Sequence, residues 1–199
     1  MKKVLISLII SVGLISAAQA GDAAAGKTKA ATCAACHGAD GNSLAPNFPK
    51  IAGQGERYLV KQITDIKNGV RQVPEMIGFV MGLSETDISD LAAYFSSQKP
   101  AGGAADPELV ELGRQVFLSG NEATGVPACI ACHGANGKGI EAAGFPSVAG
   151  QHATYIEKQL TDFYNANRVN DDNNVMRDIA SRMHMNEIKA VSSYIQGLK

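Results

Sequence analysis

The pentapeptide Cys-x-x-Cys-His occurs twice in this chain of 199 residues, and no other feature restricts the possible folds as strongly. It spans residues 33–37 and, 96 positions later, residues 129–133, with a glycine following each copy. The surrounding segments also match, since residues 48–62 resemble residues 145–159 at an offset of 97. Similarity at a nearly fixed period indicates a tandem repeat of one structural unit. The chain is therefore predicted to contain two halves of the same architecture.

Cys-x-x-Cys-His is the attachment motif for c-type haem. On one turn of a helix, two cysteines three residues apart can both reach one edge of a porphyrin, and the next residue, histidine, can lie under the iron. Two copies predict two covalently bound haem c groups, with iron as the metal. The predicted thioether residues are Cys33, Cys36, Cys129 and Cys132, and the predicted proximal iron ligands are His37 and His133.

Other uses of four cysteines fit the sequence less well. A redox dithiol is expected in a βαβ context, and no alternating strand pattern is present. A zinc ribbon separates its cysteine pairs by about 15–20 residues, whereas positions 36 and 129 are 93 apart. Disulfides are an option in an oxidising compartment. They do not explain a histidine that follows each cysteine pair.

The second axial ligand is predicted from the repeat. Among the methionines beyond the first residue, only Met76 and Met176 are repeat partners, at an offset of 100. Met81, Met183 and Met185 align with unlike residues and are expected to fill gaps in the packing. Histidine and methionine together close the coordination of an iron, which favours electron transfer over chemistry on a bound substrate.

Histidines outside the motifs are the rival ligands. His152 and His184 have no histidine as repeat partner and are expected at the surface, with His184 the closer rival because it follows the Met176 segment. A ligating histidine also needs an acceptor for its second ring nitrogen. The expected acceptors are carbonyl groups in the proline-containing loops, around Pro46 or Pro49 and around Pro146.

The first twenty residues have the pattern of a secretory signal peptide. A basic start at Lys2 and Lys3 precedes an apolar run over residues 4–15 and a small-residue cleavage pattern ending at Ala20. Cleavage after Ala20 would remove two lysines and change the net charge from −1 to −3. Without a clustered basic face, nucleic-acid binding is not expected. The chain is therefore predicted to be secreted.

Helical signals dominate the remaining sequence. Apolar spacing predicts a helix over residues 56–68, residues 84–87 resemble a capping box, and residues 109–116 start a further helix. Residues 99–107 have the composition of a linker, and three extra residues fall in the polar loop 165–174. The predicted fold is all-α. Its divisions are residues 1–20 as signal peptide, 21–100 as the first domain, and 101–199 as linker and second domain.

Some residues have two interpretations at this point. Tyr94 and Tyr194 either pack within the haem-bearing cores or lie between the halves. Four basic side chains either pair with haem propionates or, as we favour for any one of them, lie solvated on helix faces. These are Arg57, Lys61, Lys158 and Arg177.

Taken together, the repeated Cys-x-x-Cys-His-Gly, Phe-Pro-x-x-Ala-Gly-Gln and Tyr-x-x-Lys-Gln segments and the endings at residues 92–98 and 192–198 resemble the di-haem cytochrome c4 family. The resemblance covers both halves. It implies two class I cytochrome c domains related by a pseudo-twofold axis, with His/Met ligation that falls on Met76 and Met176. Met81 and Met183 flank these segments, so a ligand swap stays open.

The resemblance further implies a periplasmic protein, often held at the membrane surface, that passes electrons from a quinol-oxidising complex to a terminal oxidase. We expect a monomeric electron carrier and not an enzyme. Two alternatives remain. One is a di-haem electron-accepting subunit of a larger dehydrogenase, and the other is a di-haem redox enzyme, which would need an open iron and a substrate pocket.

Overall fold

A computed structural model describes residues 21–199, so the predicted signal peptide and its cleavage after Ala20 lie outside the described residues. Within this range the chain forms helices, three short 3-10 turns and two isolated β-bridges, but no strand. The helices are α1 (Ala23–Lys29), α2 (Ala34–His37), α3 (Glu56–Lys67), α4 (Pro74–Val80), α5 (Glu85–Ser96), α6 (Val110–Ser119), α7 (Ile130–His133), α8 (Ala153–Tyr164), α9 (Val175–Ala180) and α10 (Met185–Gly197).

The two halves repeat one arrangement, which confirms the all-α prediction. In the first half α5 packs against α1 and α3, and in the second half α10 packs against α6 and α8. Each half has its own apolar core. The first includes Leu59, Leu91, Tyr94 and Phe95, and the second includes Val116, Phe117, Ile188 and Val191.

Glycines allow the first and last helices of each half to cross closely. A Cβ atom on Gly26 would lie 2.0 Å from the carbonyl oxygen of Asp90, and one on Gly113 would lie 2.3 Å from that of Ala190. Any side chain at either glycine would therefore push the helices apart. The same crossing in both halves fixes the same frame around each Cys-x-x-Cys-His turn.

The local signals read from the sequence correspond to the observed helices. Helix α3 ends one residue before the predicted position. The capping box before α5 is present, because the Ser84 side chain accepts from the Asp87 amide and the Asp87 side chain accepts from the Ser84 amide. The predicted polar loop contains a 3-10 turn at Asp172–Asn174. No helix between residues 21 and 199 is long and apolar enough to cross a membrane.

The halves are joined by hydrogen bonds that repeat across a pseudo-twofold axis. The Gln54 amide group donates to the Ser147 carbonyl and accepts from the Ser147 amide, both at 2.8 Å. The Gln151 amide group donates to the Lys50 carbonyl at 2.7 Å and accepts from the Lys50 amide at 2.8 Å. Gln54 and Gln151 are repeat partners, as are Lys50 and Ser147. Each half therefore presents the same surface to the other.

The linker lies against both halves. The Ala101 amide donates to the Asn42 side chain at 2.7 Å, and the Gly103 amide donates to the Gln196 carbonyl at 3.1 Å. The Lys50 ammonium donates to the carbonyl groups of Ala101 and Gly150. These contacts hold the connection close to the junction between the halves.

Candidate functional site

Each Cys-x-x-Cys-His segment forms a single helical turn. The His37 amide donates to the Cys33 carbonyl at 3.0 Å, and the His133 amide donates to the Cys129 carbonyl at 2.9 Å. The glycine that follows ends each turn, with φ of 80° at Gly38. That angle lies in the region that glycine adopts without strain, which explains the glycine after both motifs. The turn brings two thiols and one imidazole close together.

The orientation of both imidazoles is set by proline carbonyl groups, as predicted. The His37 Nδ1 atom lies 2.8 Å from the Pro49 oxygen, and the His133 Nδ1 atom lies 2.9 Å from the Pro146 oxygen. Burial lowers the pKa of both histidines and outweighs the opposing effect of these hydrogen bonds. Each ring is thus a neutral imidazole that donates through Nδ1 and leaves Nε2 as a metal donor.

The first cysteine of each pair lacks the lowered thiol pKa of a redox dithiol. All four cysteines are free. Burial raises the pKa of Cys33 and raises the pKa of Cys129 to about 11. Reactive dithiols need the opposite shift. Nor does any group of three or more Cys, His, Asp or Glu side chains within residues 21–199 have the arrangement of a protein-only metal site. The donor set fits covalent attachment of haem better than either alternative.

The structure distinguishes the methionines by their surroundings. Met76 lies half-buried near the start of α4, and Met176 lies half-buried near the start of α9, where it packs against the second core. Met183 is part of that core, with an exposed fraction of only 4%. Met81 and Met185 are more than half exposed. The repeat-related pair thus occupies equivalent half-buried places near the starts of α4 and α9.

The two other histidines have partners away from the Cys-x-x-Cys-His turns. The His152 Nε2 atom lies 2.9 Å from the Ser43 carbonyl oxygen of the other half. His184 is exposed at the N-terminus of α10, where its amide donates to the Glu187 carboxylate at 2.8 Å. Both positions are those of structural histidines.

Two arginines link the halves of the molecule. Arg71 donates to the side-chain oxygens of Gln62 at 2.9 Å and of Gln159 at 2.8 Å. Its repeat partner Arg168 donates to the same two oxygens, at 3.0 Å and 2.8 Å. The four side chains form a closed ring of hydrogen bonds about the pseudo-twofold axis. We call this ring the arginine–glutamine ring.

The arginine–glutamine ring carries positive charge that the surrounding protein does not balance. Neither arginine forms a salt bridge within the described part of the chain, and the nearby Lys61 pairs with Asp65 at 2.7 Å. Burial would raise the pKa of Tyr58, but the charges of Arg168 and Arg71 outweigh it and hold that pKa below its ordinary value. Two half-buried cations of this kind suit the carboxylates of haem propionates.

The sequence analysis did not identify these two arginines. Of the basic residues that it considered, Lys61 borders the arginine–glutamine ring through the Asn170 carbonyl, at 2.8 Å. The other three bind elsewhere. Arg57 contacts Glu141 and Ala142, Lys158 pairs with Asp162, and Arg177 pairs with Asp171. The sequence does contain a signal for these two arginines, because Arg71 and Arg168 are related by the same offset of 97 as the neighbouring motifs.

Tyr94 and Tyr194, which the sequence placed either in the cores or between the halves, each pack within their own half. Tyr94 contacts Phe95, with ring centroids 5.0 Å apart, and its hydroxyl donates to the Ala39 carbonyl. Tyr194 contacts Phe117, with ring centroids 5.6 Å apart. Both tyrosines are therefore parts of the cores and do not join the halves.

Comparison with known proteins gives consistent relatives. The family model described as Cytochrome c matches residues 23–99 and 110–199. The chain is 58% identical to cytochrome c4 of Pseudomonas aeruginosa over the full length of both chains. The crystal structure of reduced recombinant cytochrome c4 from Pseudomonas stutzeri is 54% identical, with a TM-score of 0.89 over 90% of this chain and 100% of that chain. A thiosulfate dehydrogenase electron acceptor from Thiomonas intermedia is 36% identical over 86% of this chain and 81% of its own.

Proposed function

This chain belongs to the cytochrome c4 family of di-haem electron carriers, and we propose that it carries single electrons in the periplasm from a quinol-oxidising complex to a terminal oxidase. The observation that supports this most strongly is the duplicated site. Each half has two cysteines and one histidine on one turn, and a proline carbonyl fixes the ring of that histidine. Such paired sites suit a protein that accepts and releases electrons without changing a substrate.

Two covalently bound haem c groups are the cofactors. When bound, each supplies an iron that cycles by one electron between the ferric and ferrous states. In our proposal two cysteines of each half would hold its haem by thioethers, and a histidine and a methionine would ligate its iron. The thioether residues would be Cys33, Cys36, Cys129 and Cys132, and the iron ligands would be His37 and Met76 in the first half and His133 and Met176 in the second.

The protein groups around each site favour a small structural change on electron transfer. The Pro49 and Pro146 carbonyl groups hold the imidazoles in one orientation and one tautomer in either oxidation state. Each imidazole lies within a closely packed half of the molecule, and this packing leaves the imidazole little freedom to move. Methionine as the second ligand would stabilise the ferrous state and raise the potential. No proton needs to move at the histidines during the reaction.

The arginine–glutamine ring has a proposed role between the two cofactors. Its two guanidinium groups would pair with propionate carboxylates from both sides of the junction, because each arginine already binds glutamines of both halves. The charge of the propionates would then balance the charge of the ring. The two cofactors would share one polar environment and respond together to a change in it.

A second function is favoured by a different set of relatives. The similarity to thiosulfate dehydrogenase electron acceptors favours an electron-accepting subunit of a larger dehydrogenase. In that role the two sites would work in the same way, with a permanent donor instead of a diffusing one. A di-haem redox enzyme has less support, since the His152 ring binds the Ser43 carbonyl of the other half and His184 is exposed at the start of α10.

The proposal also covers processing and domain boundaries. We propose that export to the periplasm removes residues 1–20, that residues 21–100 form the first domain, and that residues 101–199 hold the linker and the second. The mature protein is proposed to be a monomer, because the surface that joins the halves is used within one chain.

The experiment is a haem count with a redox titration of the purified mature protein. We expect two haems per chain in a pyridine haemochrome assay, two one-electron waves, and no carbon monoxide binding to the reduced protein. One haem per chain would contradict the duplicated site. Carbon monoxide binding to the native protein would indicate an open iron and favour the enzyme. Stable co-purification with a dehydrogenase would favour the subunit.

A further inference from the structure

Helix α4 exposes apolar side chains beside open space. Phe79 and Met81 have exposed fractions of 55% and 56%. Gly78 precedes Phe79 and Gly82 follows Met81, and a Cβ atom on either glycine would have no neighbour within 4 Å. This region, which we call the α4 surface and define by these four residues, is apolar. It covers the end of α4, the helix that also holds Met76, the proposed iron ligand of the first half.

The α4 surface carries no charge of its own but has acidic neighbours. No Asp, Glu, Lys or Arg occurs from Met76 to Ser84. Glu75 precedes this segment and Glu85 follows it, and both are exposed. Neither forms a salt bridge within residues 21–199. The result is an apolar centre with a free negative charge on each side.

The second half differs at the equivalent place. The residues that correspond to Ile77, Gly78 and Gly82 are Arg177, Asp178 and Arg182. Arg177 binds Asp171 at 2.7 Å, and Arg182 donates to the Gly125 carbonyl at 3.2 Å. Charged groups and their own partners thus cover the α9 region. Only the first half keeps an uncharged surface beside its proposed methionine ligand.

We propose that the α4 surface is the docking site for a redox protein with an apolar face bordered by lysine or arginine. The proposal rests on the proposed function as an electron carrier. Apolar contact over a small area gives a complex that dissociates quickly, as a carrier requires. Glu75 and Glu85 would steer a basic border into place, which raises the association rate at low salt. Electrons would then enter or leave through the first half.

The test uses a surface of defined chemistry in place of the partner. A gold electrode is coated with a mixed monolayer of methyl-terminated and ammonium-terminated thiols, and electron transfer to the mature holoprotein is measured by voltammetry. The double variant Phe79→Ser/Met81→Ser should lower the interfacial rate about tenfold. The matched control is Tyr164→Ser/Met185→Ser, in which the two wild-type side chains are 42% and 51% exposed in the second half. Its rate should stay at the wild-type value.

A second variant tests the acidic border. Glu75→Gln/Glu85→Gln should lower the rate on the same monolayer at low salt and make it less dependent on salt concentration. Equal rates for the Phe79/Met81 variant and the control would overturn the docking site. An unchanged salt dependence in the Glu75/Glu85 variant would overturn the basic border.

Electron exchange with a small dissolved mediator separates this proposal from the proposed function. At high salt, where attraction between charges is screened, all variants should exchange electrons with hexaammineruthenium at the wild-type rate, because that reaction does not need apolar contact with the α4 surface. If the wild-type protein itself fails to exchange single electrons with the mediator, the proposed function is wrong. If it exchanges electrons normally while the Phe79/Met81 variant behaves like the control at the electrode, only the docking site is wrong.

Discussion

His37 and His133 are oriented by the chain itself. Each ring donates to a proline carbonyl, and each follows a cysteine on the same turn. The sequence predicted these acceptors because a ligating imidazole needs a partner for its second nitrogen and the prolines lie close in the chain. It did not predict Arg71 and Arg168. Their partners belong to the opposite half, and local sequence holds no information on how two halves meet.

The assignment of Met176 leads to the first prediction. Met176→Ala should leave the haem of the second half covalently bound but remove its weak methionine–iron absorbance in the oxidised protein. The potential of one wave should fall, because methionine raises it. Optical spectra and a redox titration measure both effects. Met185→Ala is the control, since Met185 is exposed. Loss of the absorbance in Met183→Ala instead would show that the ligand had been misassigned.

At the level of helices, α3 begins with a contact that the sequence did not reveal. Its N-cap is Gly55, which has no side chain to cap the helix. The Glu141 carboxylate of the other half accepts from the Arg57 amide at 2.9 Å and takes this role. The capping box before α5 was predictable because all of its residues are adjacent in sequence, whereas this cap depends on the junction.

Removal of the cap on α3 should destabilise the protein. Glu141→Ala should cost about 1 kcal/mol of the free energy of unfolding, equivalent to a melting temperature about 2–4 °C lower. Glu141→Gln should keep most of the stability because its oxygen still accepts a hydrogen bond. Thermal unfolding followed by circular dichroism measures the difference. Glu122→Ala is the control at a glutamate exposed in the same half. A melting temperature for Glu141→Ala equal to that of the control would disprove the capping role.

Helices α1 and α5 are joined by an acid-sensitive contact. Lys29 binds Asp87 at 2.7 Å and Asp90 at 2.6 Å. These bonds hold the pKa of both carboxyl groups below the ordinary value. Their contribution to stability is therefore present above about pH 4, the unfolded-state pKa, and is lost as pH falls through the lower folded-state pKa.

The matching experiment compares wild type with Asp90→Asn over a pH series. The variant should unfold at a lower temperature at pH 7, and the gap should narrow as the pH falls below about 4. Circular dichroism at each pH gives the two melting temperatures. A gap that stays constant down to pH 2 would show that ionisation of Asp90 does not contribute. Acid effects that are common to both proteins cancel in the difference between the two melting temperatures.

In the molecule as a whole, the arginine–glutamine ring connects two sites that the sequence presents as separate. The repeat predicted two equivalent halves with a pseudo-twofold relation, and the observed order of helices agrees. It did not predict that one charged cluster would lie at the junction. Each arginine binds glutamines of both halves, so a change in one arginine acts on both sites.

A single substitution in this ring should change both potentials. Arg168→Met removes a positive charge. This removal favours the more positively charged ferric state, so both midpoint potentials should fall by on the order of 50 mV. A redox titration resolves the two waves. Arg114→Met is the control, because Arg114 is exposed and pairs with Glu111 on one helix. A shift in only one wave would refute the shared environment.

The reciprocal bonds of Gln54 and Gln151 have a consequence for how the two halves stay together. Two separate chains with such a self-complementary surface would associate by mass action and come apart on dilution. A short linker makes the association intramolecular. It holds each half at an effective concentration in the millimolar range relative to the other half, and this concentration does not change with the amount of protein. The distance between the two redox centres is thereby independent of expression level. The tether also lets each copy of the surface change alone, as the repeat partners Lys50 and Ser147 have done.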